Sequence, residues 1–255
     1  MRFILMCFAA AVMAAQDPAK ESLASWRPGP VIPLAATLHH VQGIEVEGDT
    51  LWVSSVNAKA KKGFLSRFER STGKLLLQVE VQDGLRIHPG GISLAGDSIW
   101  IPVAEYTRAS TTSIQRRNKI TLALEASFTV ADHIGCLAAG PAGLLGGNWD
   151  SRMLYLWRPD GTEIKRTPNP HSTSYQDLKF ANGYWLGGGG LNRQQGAVDF
   201  LDPETYALRR RILVHQTDQG LSLTHEGFAY VNQTLYFLPE DDPSRLFVFS
   251  DPSIR

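Results

Sequence analysis

One sentence pattern of residues recurs along the chain and limits the fold more than any other feature. His39–Val56 reads HHVQGIEVEGDTLWVSSV: a polar cluster, Gly-Ile, a tight turn, then an apolar strand carrying an aromatic residue. The same grammar returns in IHPGGISLAGDSIWIPVA (Ile87–Ala104), ADHIGCLAAGPAGLLGGNWD (Ala131–Asp150), YQDLKFANGYWLGGGG (Tyr175–Gly190) and THEGFAYVNQTLYFLPE (Thr224–Glu240). The copies start roughly 45 residues apart, the length of a four-stranded β-propeller blade.

Almost nothing between the copies reads as helix. Apolar residues alternate, or run for a few positions, between Gly, Pro, Asp and Asn punctuation. In the first copy Ile44–Val46 is the innermost strand, followed by Leu51–Val56, Phe64–Arg70 and the outer strand Lys74–Val81. Third-strand candidates recur at Ser113–Lys119, Leu154–Arg158, Ala197–Leu201 and Leu246–Phe249. Several are followed by an aspartate and a tight turn: Asp160-Gly161, Asp202-Pro203-Glu204 and Asp251-Pro252. The last copy stops after its third strand, whereas Val31–Thr37 is a spare strand ahead of the first. Placing that segment as the outer strand of the final blade closes the ring and removes two exposed edges. The predicted fold is therefore all-β, a five-bladed β-propeller closed by an N-terminal strand, with six blades as the alternative count.

The chain of 255 residues opens MRFILMCFAAAVMAAQD. A basic Arg2, an apolar run Phe3–Met13 and the small Ala14 and Ala15 read as a secretory signal over residues 1–15, too short for a membrane span. Residues 16–255 are then one propeller domain, exported to the periplasm or beyond, with no stable membrane insertion and a monomeric state expected. Loss of the leader removes Cys7 and leaves Cys136 alone, so no intramolecular disulfide is expected. Cys136 itself reads as a small buried core residue. Lys+Arg and Asp+Glu both number 25, which argues against nucleic acid as a partner.

In a propeller the approach to each inner strand and the loop leaving each second strand open on one face. At that station the sequence places His39, His40 and Gln42; His88; Asp132 and His133; Gln176 and Asp177; and His225 and Glu226. Five of the seven histidines lie there. The exit loops add Glu105, Tyr106, Asn148, Asp150, Glu240 and Arg245, while the opposite turns are short and bland. The convergent mouth is the candidate site for a small-molecule or peptide ligand. Three readings of it stay open. Imidazoles of His40, His88, His133 and His225, with Glu226 or Asp177 as carboxylate, can hold a divalent Zn, Fe or Mn ion. Without metal, His88, His225 and Glu226 can perform acid–base catalysis, with His40, Gln42, Glu105, Asn148, Asp150, Gln176, Asp177, Glu240 and Arg245 binding the substrate. Alternatively the polar groups satisfy backbone and ordered water.

Two further features read as packing. Gly187–Gly190 lacks the following helix of a phosphate loop and lets backbone approach a ligand or a neighbouring blade closely. Trp52, Trp100, Trp149 and Trp185 recur at matching positions and read as contacts between blades.

The segments HHVQGI, HPGGI, PVAEY, ADHIGC, GGNWDSR, YQDLKF, THEGFA and LPEDDPSRLF resemble an uncharacterised family of secreted propeller proteins, across nearly all of the chain. That resemblance implies fold and export rather than a reaction. More distantly, Val41-Gln42-Gly43-Ile44 followed by GDTLW resembles the plant-type glutamine cyclotransferases, five-bladed propellers that close N-terminal glutamine to pyroglutamate. Gln42 falls on that family's glutamine. Where the family has Gly-Glu-Gly-Ile, this chain has Pro89-Gly90-Gly91-Ile92, so the catalytic glutamate is unmatched; Glu226 is the candidate substitute from another blade. Two function classes follow: a hydrolase, lyase or cyclotransferase-like enzyme at the histidine-rich mouth, or a non-catalytic binding or scaffold propeller.

Overall fold

The computed structural model describes residues 18–192 and 194–253, so the leader assigned to residues 1–15 lies outside it. Five antiparallel sheets follow one another in chain order, which settles the blade count at five. Blade I is His40–Glu47, Thr50–Asn57, Lys62–Glu69 and Lys74–Glu80. In blade II the innermost strand is split into His88–Pro89 and Ser93–Ala95, both paired with Ser98–Ala104; Thr112–Asn118 and Leu124–Val130 follow. Blade III is Ile134–Gly140, Gly143–Asn148, Met153–Trp157 and Glu163–Pro168. Blade IV is Ser174–Ala181, Tyr184–Gly190, Gly196–Leu201 and Leu208–Val214. Blade V contributes only Gly227–Val231, Thr234–Leu238 and Arg245–Ser250 from its own stretch of chain.

The missing strand comes from the N-terminal side, as expected, but from Arg27–Pro33 rather than 31–37. It pairs antiparallel with Arg245–Ser250 and slips in register between Pro28 and Val31. Prolines 28, 30 and 33 lack the N–H a central strand must donate, which suits this segment to the edge. A strand the sequence analysis did not foresee, Ala19–Ser22, runs parallel to Leu208–Val214 and widens blade IV, with Glu21 paired to Arg210. Its AKES sequence carries no apolar alternation.

Each strand pattern has a local cause. Inner and second strands are packed on both faces and are apolar almost throughout, whereas the outer strand Lys74–Glu80 alternates between half-buried and exposed residues. The aspartate turns behave as read. Asp202 accepts from the backbone N–H of Glu204 and Thr205 and from the Thr205 hydroxyl, Asp160 from Thr162 N–H, and Asp251 from Ser253. Apolar side chains collect in five clusters, one at each blade boundary; Ile92, Ile99 and Val103 of blade II, for example, pack on Trp52 and Leu65 of blade I. Cys136 lies fully buried between blades III and IV, and burial pushes its thiol up to about 12, as befits a core residue.

At the axis the inner strands meet backbone to backbone. Gly91 N–H donates to Gly135 O of blade III, and a Cβ at Gly43 would come within 2.5 Å of Gly91 Cα. One carboxylate ties this centre together. Asp177 Oδ2 accepts from Ile44 N–H of blade I (3.1 Å) and Phe228 N–H of blade V (3.3 Å). Its Oδ1 accepts from Leu178 N–H (3.0 Å) and from Lys179 Nζ (2.6 Å), which also donates to Ile92 O of blade II (2.7 Å). Gly187 and Gly188 sit against the rings of Tyr175 and Phe228, so the glycine run serves close packing on neighbouring strands.

Candidate functional site

Three inner strands carry the same defect at the same height. The pairing register skips Gln42 in blade I, Gly135 in blade III and Gln176 in blade IV. A β-bulge leaves its extra residue unpaired and re-aims it. All three line one cavity of about 240 Å³ at the axial mouth, together with His40, His88, Tyr106, His133, Asn148, Trp149, Asp150, Tyr175, His225 and Glu226. The mouth predicted from sequence therefore exists, and most of the residues expected there reach it.

The cavity has an acidic corner and an aromatic wall. In the corner, His40 Nε2 lies 3.2 Å from Glu226 Oε1 and 3.9 Å from Glu240 Oε2. His225 Nε2, on the solvent side, lies 3.7 Å and 4.0 Å from the same two oxygens. The other His40 nitrogen, Nδ1, is 3.2 Å from the Tyr106 hydroxyl. Glu226 is only 5% exposed, and burial raises its pKa against the opposing hydrogen bond and charge of His40. Burial alone would lower the His40 pKa; the hydrogen bond and charge of Glu226, with the charge of Glu240, outweigh it and raise the value.

The wall is built from His88, Tyr106, His133 and Trp149. The His88 ring stacks on Tyr106 at 4.3 Å between centroids and lies 5.4 Å from His133, which meets Trp149 edge-on at 4.5 Å. His133 Nδ1 donates to Thr107 O at 2.8 Å, leaving Nε2 as its acceptor atom. His88 is 8% exposed and neither of its ring nitrogens has a protein partner. Burial, then the nearby His133 and His40, hold its pKa down at about 3. It is thus a neutral imidazole in the cavity wall, with both nitrogens shielded, and not a base for neutral pH.

A pH prediction follows. A folded value depressed from 6.5 to about 3 gives stability that is present above 6.5 and lost as pH falls toward 3. The loss approaches about 1.4 kcal/mol per pH unit inside that window. Chemical denaturation of wild type and His88→Phe across mildly acidic pH should show the steeper decline in wild type. Equal slopes would refute the assignment.

Other expected site residues are engaged by protein partners, at the rim or away from the mouth. Asp177 is not at the mouth; the bulge at Gln176 turns it to the axis, where it holds the blades as described above. Glu105 accepts from Thr111 N–H and hydroxyl and staples its own loop. Arg245 is engaged by Asp241 and Asp218, 2.7 Å from each, over the Phe247 ring. Glu240 stands at the rim, in the acidic corner. Asp150, in a left-handed conformation (φ 59°), pairs with Arg108 at 2.8 Å beside Trp149. His39 is exposed and bonded to Asn57, and Asp132 turns to Asn148 and the Tyr155 hydroxyl.

The tryptophan reading needs one correction. Trp52, Trp100 and Trp185 sit on second strands and are buried at blade boundaries. Trp149 falls in a short 3₁₀ turn after its strand and lines the cavity. Blade III carries Leu144 and Leu145 on its second strand instead. The sequence puts Tyr106 in an exit loop and gives it no role; its place between His40 and His88 arises only from contact across blades.

The four histidines expected to share a metal do not meet at a point: His40 and His88 are 6.5 Å apart between ring centroids. Among the described residues, the grouping of His, Cys, Asp or Glu whose ligand atoms lie within 4.8 Å of one another is His40, Glu226 and Glu240.

The sequence matches the Family of unknown function (DUF6454) over residues 5–185. The chain belongs to that family. Among curated proteins none matches it. Its fold is similar to the Myxococcus xanthus glutaminyl cyclase, with a TM-score of 0.68 and 15% identity over 91% of this chain and 97% of that one. The Neurospora crassa Pan2 WD40 domain superposes with a TM-score of 0.49 and 11% identity, over 93% of this chain and 99% of that one. The resemblance to an uncharacterised family and to the cyclotransferase propellers is borne out at the level of fold. The unmatched glutamate has a local explanation: a Cβ at Gly90 would overlap the carbonyl oxygen of Gly135, so no side chain fits at that point.

Proposed function

We propose that the axial mouth is an active site acting on a small molecule or a peptide end, as a hydrolase, lyase or cyclotransferase-like enzyme. The observation that carries this reading is the buried Glu226, held against His40 at the edge of the cavity, with an unpartnered neutral His88 across from it. A carboxyl group with a raised pKa beside an imidazole is suited to carrying a proton to and from a bound ligand. Gln42, Gln176 and Asn148 place amides around the cavity beside the neutral His88 ring. Likeness to the glutaminyl cyclase puts cyclisation of N-terminal glutamine among the reactions to examine, although Glu226 reaches the mouth from another blade. A second reading rests on the close approach of His40, Glu226 and Glu240: a divalent cation held there makes Glu226 a ligand and polarises the reacting group instead.

Arg2 and the apolar run after it support export of the propeller, and a ligand met outside the cytoplasm is then expected. The test is turnover of amides, esters, lactones and N-terminal glutaminyl peptides by wild type and Glu226→Gln. Either form of the corner predicts a loss of about 100-fold or more in the variant. Full activity in Glu226→Gln would sink the assignment, and a wild type that binds compounds without turning any over would support a binding propeller.

A further inference from the structure

We infer that His40, Glu226 and Glu240 form a binding site for one divalent transition-metal ion, zinc foremost, with the fourth position open to water or a ligand and Tyr106 as the supporting partner of His40. The inference rests on the mouth being the reactive site. It assigns the chemistry there to metal-assisted hydrolysis or hydration.

Ligand atoms of the three residues lie within 4.8 Å of one another, as for one face of a tetrahedron. His40 Nε2 lies 3.2 Å from Glu226 Oε1 and 3.9 Å from Glu240 Oε2. Zinc bound to nitrogen and oxygen at its usual lengths sets such edges at roughly 3.4 Å. The longer edge involves Glu240, the more exposed of the two carboxylates. The shorter joins the two better-buried groups, His40 and Glu226.

Donor chemistry and support agree with this. One imidazole and two carboxylates suit zinc, iron or manganese better than calcium, which prefers oxygen alone. A metal-bound imidazole usually donates its second N–H to a fixed partner, and His40 Nδ1 already faces the Tyr106 hydroxyl at 3.2 Å. Tyr106 is in turn held by its stack on His88. The independent pointer to a ligand is His88 itself, more than nine-tenths buried, without a protein partner at either nitrogen, and lining the same cavity. A molecule bound to the ion fills the cavity beside that ring. Glu240 is the discriminating residue, because a metal-free His40–Glu226 couple has little use for it.

The experiment is zinc titration of chelator-treated, purified protein by calorimetry, with metal content by elemental analysis and visible spectra of the cobalt(II)-loaded form. Wild type should take up one ion per chain and show the intense visible bands of tetrahedral cobalt. Glu240→Gln should weaken zinc by about 100-fold or more, and Tyr106→Phe by about 10-fold. Arg209→Ala, at an outer turn of blade IV, should bind as wild type. Glu240 is exposed at the rim, so folding is not at issue for its variant. Absence of zinc, manganese and cobalt uptake by wild type, or unchanged affinity in Glu240→Gln, would overturn the site. Protein that binds no ion yet turns over a compound in a Glu226-dependent way refutes the metal and leaves the proposed function standing. An ion held by these ligands with no compound bound or converted refutes the proposed function instead.

Discussion

Asp177→Ala is expected to destabilise the propeller by about 3–5 kcal/mol, the usual cost of stripping one partner from a buried ion pair. The carboxylate is fully buried, and its four hydrogen bonds reach backbone N–H groups of blades I and V, its own neighbour Leu178, and the Lys179 ammonium. Alanine leaves the N–H groups of Ile44 and Phe228 without acceptors in a place water reaches poorly, and leaves an ammonium facing only carbonyls and the more distant Glu45, at 3.9 Å. Because the contacts join separate blades, the loss falls on the closed ring rather than on one sheet. Arg209→Ala, which breaks a solvent-exposed ion pair to Asp202, should cost about 1 kcal/mol or less. Urea denaturation at unchanged slope reads both. A loss below about 1 kcal/mol in Asp177→Ala would show that the axial carboxylate is not what joins the blades.

Gly90→Glu, the substitution that restores the glutamate of the glutamine cyclotransferases at its matching position, is expected to cost about 3 kcal/mol or more and to confer no activity. The obstacle is backbone, not a movable side chain. Gly90 N–H donates to Pro102 O, the next residue bonds to Gly135, and any Cβ at 90 runs into the Gly135 carbonyl. Gly90→Ala should already show much of the loss, because the clash begins at Cβ. Thermal or urea melts of both variants, with a cyclisation assay on the glutamate variant, check the expectation. A stable Gly90→Glu protein that cyclises N-terminal glutamine would mean that blades II and III separate far more readily at the axis than their bonding implies.

These two positions bracket the mouth from below. The axis under it is closed by glycine backbone and by the Asp177–Lys179 pair, so the cavity is a cup and not a pore. Its floor is rigid for the reason that makes both substitutions costly. The groups left free to meet a ligand are those above the bulges: the acidic corner, the His88 wall and the amides of Gln42 and Gln176.

The architecture is written in local signals along the chain. Repeated Gly-Ile, turn and aromatic strand, with aspartate turns between outer strands, specify five blades because each signal acts within a few residues. The truncated last copy and the spare segment before the first predicted the ring closure for the same reason. The cluster of histidines at one station was legible too, since the loops of a propeller alternate between its two faces. Which neighbours reach the cavity was decided only by tertiary structure. Gln176 and Asp177 are adjacent and both polar, yet a one-residue bulge sends the first to the mouth and the second to the axis. Trp149 shares its residue type with three packing tryptophans but falls in a turn beyond its strand. Glu240 and Tyr106 join His40 from blades V and II, across distances in sequence over which no local pattern acts. Strand periodicity is a local property. Side-chain direction at a bulge, and contact between loops of different blades, depend on how the ring closes.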